Sequence, residues 1–383
     1  MSAPTVDQPS AIVAAVGISF IAVGGFLILP LLVGAAAGDM DLTARQVGFL
    51  ASGVMAGSAL SSILAVFWIR RVDWRKAGYF SIGLLLASHA TSLFVDDLLL
   101  FILCQCLAGL GGGAAYSLAL TVLSDNKHPD RCFGYSVAAQ VSFQVVGLLA
   151  LPAVIERAGL NGVLGVLVVL ECCGLVLMRW MPRAGAEISH VPIGRALFKP
   201  RVLAALAGCF FFFFNVGAVW TYIERMGVAA QFEPGFIGLS LAAGVSLGIP
   251  GALLAAWCGD RFGRVGPLAL GAVGTVIALA LLTEDMSKGN YLLAVALYNF
   301  VWNFSLAFQY SAVNAADDSG RSIAAAPAFH GAGGAVGPAA VALFVTADSF
   351  IAVNILAAGA VMLSFLMFAL ADGHRRRVAS GAA

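Results

Sequence analysis

Residues 98–123 read LLLFILCQCLAGLGGGAAYSLALTVL, with no Asp, Glu, Lys or Arg among them. A helix rises about 1.5 Å per residue, so a run of this length reaches across a hydrocarbon layer of about 30 Å. Polar residues bound it on both sides, Asp96 and Asp97 before it and Asp125 to Lys127 after it. It reads as one membrane-spanning helix with a turn at each surface. The whole chain repeats the pattern. Hydrophobic residues make up 61% of the sequence and charged residues 11%, with a mean hydropathy of +0.95. A soluble domain carries roughly 45–50% apolar and about 25% charged residues, so a water-soluble fold is excluded and a bilayer is the expected solvent.

Comparable runs fall near 11–33, 47–69, 77–95, 134–155 and 161–181, and again near 203–223, 236–258, 266–283, 290–313, 322–345 and 349–371. With 98–123 they make about twelve spans, an all-α membrane protein. Of the 21 Lys and Arg residues, all but Arg45, Arg157, Arg225 and Lys288 fall on the side that holds both termini. Basic residues are retained in the cytoplasm during insertion, so both termini are expected inside, in the inner membrane. Met1 to Ser10 lacks the basic region of a cleaved signal, so the first span is expected to be kept. Six cysteines (Cys104, Cys106, Cys172, Cys173, Cys209 and Cys258) lie within spans and Cys132 lies beside a loop. Their spacing suits neither a zinc site nor an extracellular disulfide, and they read as small apolar filler. A net charge of +1 lends no support to nucleic-acid binding.

The chain also repeats itself. A shift of 191 residues places Gly53 on Gly244, Gly57 on Gly248, Ala65 on Ala256 and Arg70 on Arg261; a shift of 190 places Arg131 on Arg321. Both are close to half the length. The polar stretch from Met181 to Pro200 lies at the midpoint, which gives a six-helix bundle over 1–181, a cytoplasmic linker over 182–201 and a second six-helix bundle over 202–383.

The loop after span eight reads Gly259-Asp260-Arg261-Phe262-Gly263-Arg264, with Ala256 before it. It resembles the signature loop of the major facilitator superfamily, small-x-x-x-Asp-Arg-x-Gly-Arg, and the two-halves architecture resembles that family throughout. The resemblance implies a secondary transporter working by alternating access, with helices one, four, seven and ten lining a central cavity. It departs from the pattern in places. The first-half loop has Ile69 at the Asp position and Val72 at the Gly position. Gln105, four residues before Gly109, stands where the family often has Arg. The Gly-Pro signature of drug/proton antiporters is absent from span five, whereas Gly333 to Pro338 in span eleven is a Gly-x-x-x-Gly-Pro run. Asp260 would sit at a helix C-terminus, where the dipole disfavours a carboxylate unless it is paired. With Arg261, Gly263 and Arg264 it is the candidate gate, or else a static loop clasp.

Polar side chains inside spans are costly and mark candidate sites. Gln105, Asn215, Asn299 and Asn303 lie on cavity-lining helices of the family, and Gln140 and Gln144 lie in span five. Asn299 and Asn303 share a helix face, as do Gln140 and Gln144. As a set they suggest an amide-lined cavity; taken singly, each suits an interhelical hydrogen bond equally well. Tyr298 and Trp302 are the deep aromatic candidates. Trp220 and Tyr222 read as an interfacial belt, and most of the run Phe210 to Phe214 reads as lipid-facing. Glu224 and Arg225, being adjacent, are expected to point apart. Two ionisable groups lie near mid-span. His330, in a Pro/Gly-rich stretch of span eleven, is the first candidate for substrate or proton binding, and Glu171 of span six the second. His89 reads as structural.

Every basic residue lies at a span end or in a loop, which disfavours phosphate esters and dicarboxylates as substrates. The expected function is proton-coupled transport of a small amphipathic or aromatic solute, by a protein that works as a monomer in the lipid bilayer and needs no cofactor. A facilitative uniporter or an exporter of the same fold is the alternative. A membrane-embedded enzyme is the alternative of another class; no His-Glu-x-x-His or comparable constellation supports it.

Overall fold

The computed structural model describes residues 5–127, 129–184, 199–258, 261–316, 325–346 and 349–381. Among the described residues the chain forms twelve helical spans, and it divides into two compact units, Met1–Ser189 and His190–Ala383. Of the expected linker, 185–198 lies outside the described residues, as do Arg321 and the gate candidate Asp260.

In the first unit, α1 comprises Pro9–Ala22, Gly24–Leu27 and Leu29–Asp39, and so runs beyond the expected 11–33. The breaks fall at Val23 and Ile28, where ψ rises to 11° and 15°. Then come α2 (Ala44–Trp68), α3 (Trp74–Ser92) and α4 (Leu98–Ser124). Each starts on a residue whose side chain accepts a first-turn N–H: Thr43 from Gln46 N, Asp73 from Lys76 N and Asp97 from Leu100 N. Such caps satisfy donors that the helix itself leaves open. The stretch Pro129–Leu177 is broken at Gly159, whose φ of 55° and ψ of −144° separate α5 (129–158) from α6 (160–177). Asp39 closes that break, accepting from Leu160 N at 2.7 Å. The end of α1 thus caps the start of α6.

The second unit holds α7 (Pro200–Ala229), α8 (Pro234–Cys258), α9 (Val265–Leu281), α10 (Lys288–Ala316), α11 (Ala326–Ala342) and α12 (Ile351–Gly381). The two units share one packing scheme. α2 lies on α4 as α8 lies on α10, α3 joins α4 and α6 as α9 joins α10 and α12, and α1 meets α5 and α6 as α7 meets α11 and α12.

The glycines matched by the half-length shift are at these crossings. A Cβ on Gly57 would run into the carbonyl of Cys106, and one on Gly248 into the side chain of Asn303. Without a hydrophobic force between helices in lipid, close backbone approach through small residues supplies the packing. The Gly-x-x-x-Gly-Pro run of α11 serves the same end: Gly333 and Gly337 lie against the carbonyls of Phe210 and Phe214 on α7. Outward, Phe80, Leu103, Val146, Leu253, Leu270 and Ile355 are exposed. This is the apolar surface of a multi-pass membrane protein, with the backbone polar groups satisfied inside the helices.

Candidate functional site

In the second unit, α7, α10 and α11 assemble a set of rings around Trp302. Its ring centre lies 6.3 Å from Phe213, 6.3 Å from Trp220 and 6.5 Å from Tyr298, each at a steep interplanar angle. Edge-to-face arrangements of this kind suit the ring quadrupoles. His330 of α11 lies against Phe213, stacked at 4.1 Å, and meets the edge of Tyr310 at 5.5 Å. Its Nε2 is 3.3 Å from Gln309 Oε1. Tyr298 Oη donates to the carbonyl of Asn215 at 3.3 Å. Trp302, Phe213 and Tyr310 are half-buried, whereas Trp220, Tyr298 and His330 are buried. Two buried polar atoms here, Asn215 Oδ1 and Gln309 Nε2, have no hydrogen-bond partner within the protein; Ser305 Oγ, also without one, is turned to Gly271 of α9. A buried polar atom left open costs about 1–3 kcal/mol, so such atoms await a water or a solute.

Trp220, expected in an interfacial belt with Tyr222, belongs to this cluster; both are fully buried. Their position near one end of α7 suggests the membrane surface, but Trp220 packs on Trp302 of α10 and Tyr222 on Phe350, just before α12. The Phe210–Phe214 run is not mainly lipid-facing either: Phe212 is buried and the other four are half-buried. Asn299 and Asn303 do share a face, but it is turned to α8, where they meet Gly244 and Gly248. Each amide donates to the carbonyl one turn back, Asn299 to Val295 and Asn303 to Asn299, both at 3.0 Å. Glu224 and Arg225, expected to point apart, instead form a two-pronged ion pair at 2.7 and 2.9 Å.

In the first unit, Gln105 is buried on α4 and donates to Ser92 Oγ of α3 at 3.1 Å. Gln144 donates to the carbonyl of Leu27 at 2.9 Å, in the broken stretch of α1. Gln140 donates to Ser136 Oγ at 3.0 Å, and Ser136 bonds Ser19 of α1 at 2.7 Å. Beside this network a cavity of about 670 Å³ opens along α1 and α5, lined by Ile12, Val16, Phe20, Asn126, Cys132 and Tyr135 among others. Glu171 bonds His89 of α3 at 2.6 Å.

Of the signature loop, Arg261 lies over the Trp257 ring at 5.4 Å, Gly263 takes a φ of 65°, and Arg264 Nε donates to Ser311 Oγ of α10 at 2.8 Å. In the first unit the shift-matched Arg70 grips Asp125, at the end of α4, through two bonds of 2.6 and 2.8 Å. Both loops thus tie to the fourth helix of their own unit. Asp125, Phe213, Gln309 and Tyr310 were not among the sequence candidates. The signal available for Asp125 was an acidic residue ending a span on the same side as Arg70.

A sequence profile described as the Major Facilitator Superfamily matches residues 14–319. No curated protein matches the chain by sequence. Among solved structures, a bacterial homologue of the human lysosomal transporter Spinster is similar, with a TM-score of 0.74 at 12% identity, covering 96% of this chain and 97% of that one. The nucleoside transporter NupG gives a TM-score of 0.75 at 12% identity, covering 94% and 98%. A D-xylose–proton symporter gives 0.76 at 14% identity, covering 94% and 96%. At these identities the likeness concerns the fold, a twelve-helix transporter fold.

Proposed function

We propose that this chain, which belongs to the major facilitator superfamily, is a secondary transporter that moves a small amphipathic or aromatic organic solute of no net charge by proton-linked alternating access. The observation that carries the substrate reading is the ring set around Trp302, with open polar atoms on Asn215 and Gln309. Ring faces hold a planar solute by stacking and by burying its apolar surface. The open amide atoms would fix its orientation, since a few placed polar groups in an apolar lining give a pocket its specificity. Neither Lys nor Arg contributes to this cluster, which disfavours an anionic solute. The fold is shared with a nucleoside transporter and a D-xylose–proton symporter, which is in keeping with an organic solute and a proton.

His330 is in this reading a solute contact. It sits between two rings and a neutral amide, and a hydrogen-bonding imidazole there can take a solute donor or acceptor. Glu171 has a hydrogen-bonded imidazole of its own and is the better candidate for the proton.

The test is a stability screen of the purified protein with nucleosides, pentoses and aromatic amino acids, alongside sugar phosphates and dicarboxylates. A ligand at 100 times its Kd raises stability by about 2.7 kcal/mol. Stabilisation by at least one neutral planar solute in the wild type, lost in Trp302→Ala, is the expected result. Stabilisation by anions alone would overturn the reading.

A further inference from the structure

We infer that His89 and Glu171 together form a proton-binding site between α3 and α6, which holds one shared proton and is the point where proton movement enters the transport cycle. The second part rests on the transport reading above; proton binding itself does not.

The register of the two helices makes the site. α3 and α6 run antiparallel. Gly78 faces Met178, just past α6, and Gly174 faces Ile82. Continuing that register along both helices brings His89 Nδ1 to 2.6 Å from Glu171 Oε1. The two side chains are 4% and 1% exposed. A lone charge at this depth is costly. A pair with one proton between its members has no net charge, whether it is imidazolium with carboxylate or imidazole with carboxylic acid. Occupancy by one proton is therefore the state that the apolar surroundings accept most readily.

The surroundings leave that proton to these two groups. α4, packed on α3, brings Gln105 and Cys104 to this level, and α1, packed on α6, brings apolar residues. Cys172 and Cys173, beside Glu171, are turned outward and exposed. The Asp, Glu, Lys and Arg residues of α1, α3, α4, α5 and α6 lie toward helix ends apart from Glu171 itself: Asp39, Arg75, Lys76, Asp130, Arg131, Glu156 and Arg157, with Asp97 and Asp125 flanking α4.

Two acceptor atoms remain open beside the pair. Glu171 Oε2 and Gln105 Oε1 are both buried without a partner, and Gln105 is anchored through Ser92, one turn from His89 on α3. An ionised carboxylate that acts only as a structural clasp would call for several donors. Glu171 has His89. The open oxygen suits a group that carries a proton for part of its cycle, with a water as the vehicle. On release the proton passes to water and one negative charge stays on Glu171, held by the neutral imidazole N–H. That state is disfavoured in hydrocarbon, so emptying the site favours a conformation that admits water to it.

The experiment uses the full chain in liposomes and the proton as its own probe. Infrared difference spectra are recorded between acidic and alkaline buffer. A carboxyl band that responds to pH is expected in the wild type, absent in Glu171→Gln and shifted in His89→Gln. Glu171→Gln keeps an oxygen for His89 to bond, so a purely structural clasp would survive it. In the same liposomes, accumulation driven by a pH gradient should persist in Gly165→Ala, whose Cβ meets nothing within 4 Å, and be lost in Glu171→Gln. Identical carboxyl spectra in wild type and Glu171→Gln, or gradient-driven accumulation that survives the substitution, would overturn the inference. If the wild type moves no solute, the transport reading falls by itself, and the infrared titration still decides the proton site.

Discussion

Gly159 carries two structural demands at once, and replacing it measures both. Its φ of 55° with ψ of −144° lies in a region open essentially to glycine, and a non-glycine residue forced there costs about 1–3 kcal/mol. A Cβ at this position would also run into the Asp39 carboxylate. That carboxylate caps Leu160 N at 2.7 Å, and loss of such a cap costs about 1 kcal/mol. Gly159→Ala is therefore expected to destabilise by about 2–4 kcal/mol, the sum of the two effects. Gly165→Ala, six residues on in α6, is the control: nothing lies within 4 Å of its Cβ. It should be neutral or stabilising by up to about 1 kcal/mol, because alanine favours a helix interior. Unfolding in mixed detergent micelles compares the two, together with Asp39→Ala. The double variant Gly159→Ala/Asp39→Ala should cost less than the sum of the singles, since the cap is lost only once. If Gly159→Ala is as stable as Gly165→Ala, the α5–α6 break is not held as described.

Three further outcomes are expected, the first two from the sequence and the third from the structure. Asp260→Asn should leave the protein folded and inserted but slow solute exchange, as measured by uptake into liposomes; an unchanged rate would remove the gate reading. Single cysteines introduced near Arg195 and after Arg376 should react with an impermeant reagent only from the cytoplasmic side, and labelling from outside in intact cells would contradict the basic-residue asymmetry. Asp125→Asn should destabilise the first unit, because Arg70 would keep its charge and lose its two-pronged partner; equal stability would show that this pair contributes no more than an exposed one.

The spans were legible because each must be long and apolar on its own, which is a local property. Leu98–Leu123 announced α4 within a residue. The repeat was legible because Gly57 and Gly248 meet the same packing need at the same crossing in both units. Side-chain orientation was not. Asn299 and Asn303 were placed correctly on one face, but nothing local says that the face is turned to α8 rather than to His330. Trp220 and Tyr222 sit near a helix end, so an interfacial reading followed; neighbouring helices bury them. The breaks in α1 fall on apolar Val23 and Ile28, and the Gln144 amide that meets the Leu27 carbonyl lies 117 residues away. The His89–Glu171 contact spans 82 residues and depends on the register of two helices. Contacts of that kind come from packing, which single-sequence periodicity does not contain.

The central claim is that the chain exchanges a neutral planar solute across the membrane through the Trp302 site. Counterflow tests it most directly: purified protein in liposomes preloaded with an unlabelled nucleoside or aromatic amino acid, with entry of the labelled form followed over time. Transient accumulation of at least one such solute is predicted for the wild type and for Gly165→Ala, and its loss for Trp302→Ala. Folded wild-type protein that exchanges none of them, or a Trp302→Ala variant that exchanges them at the wild-type rate, would contradict the account.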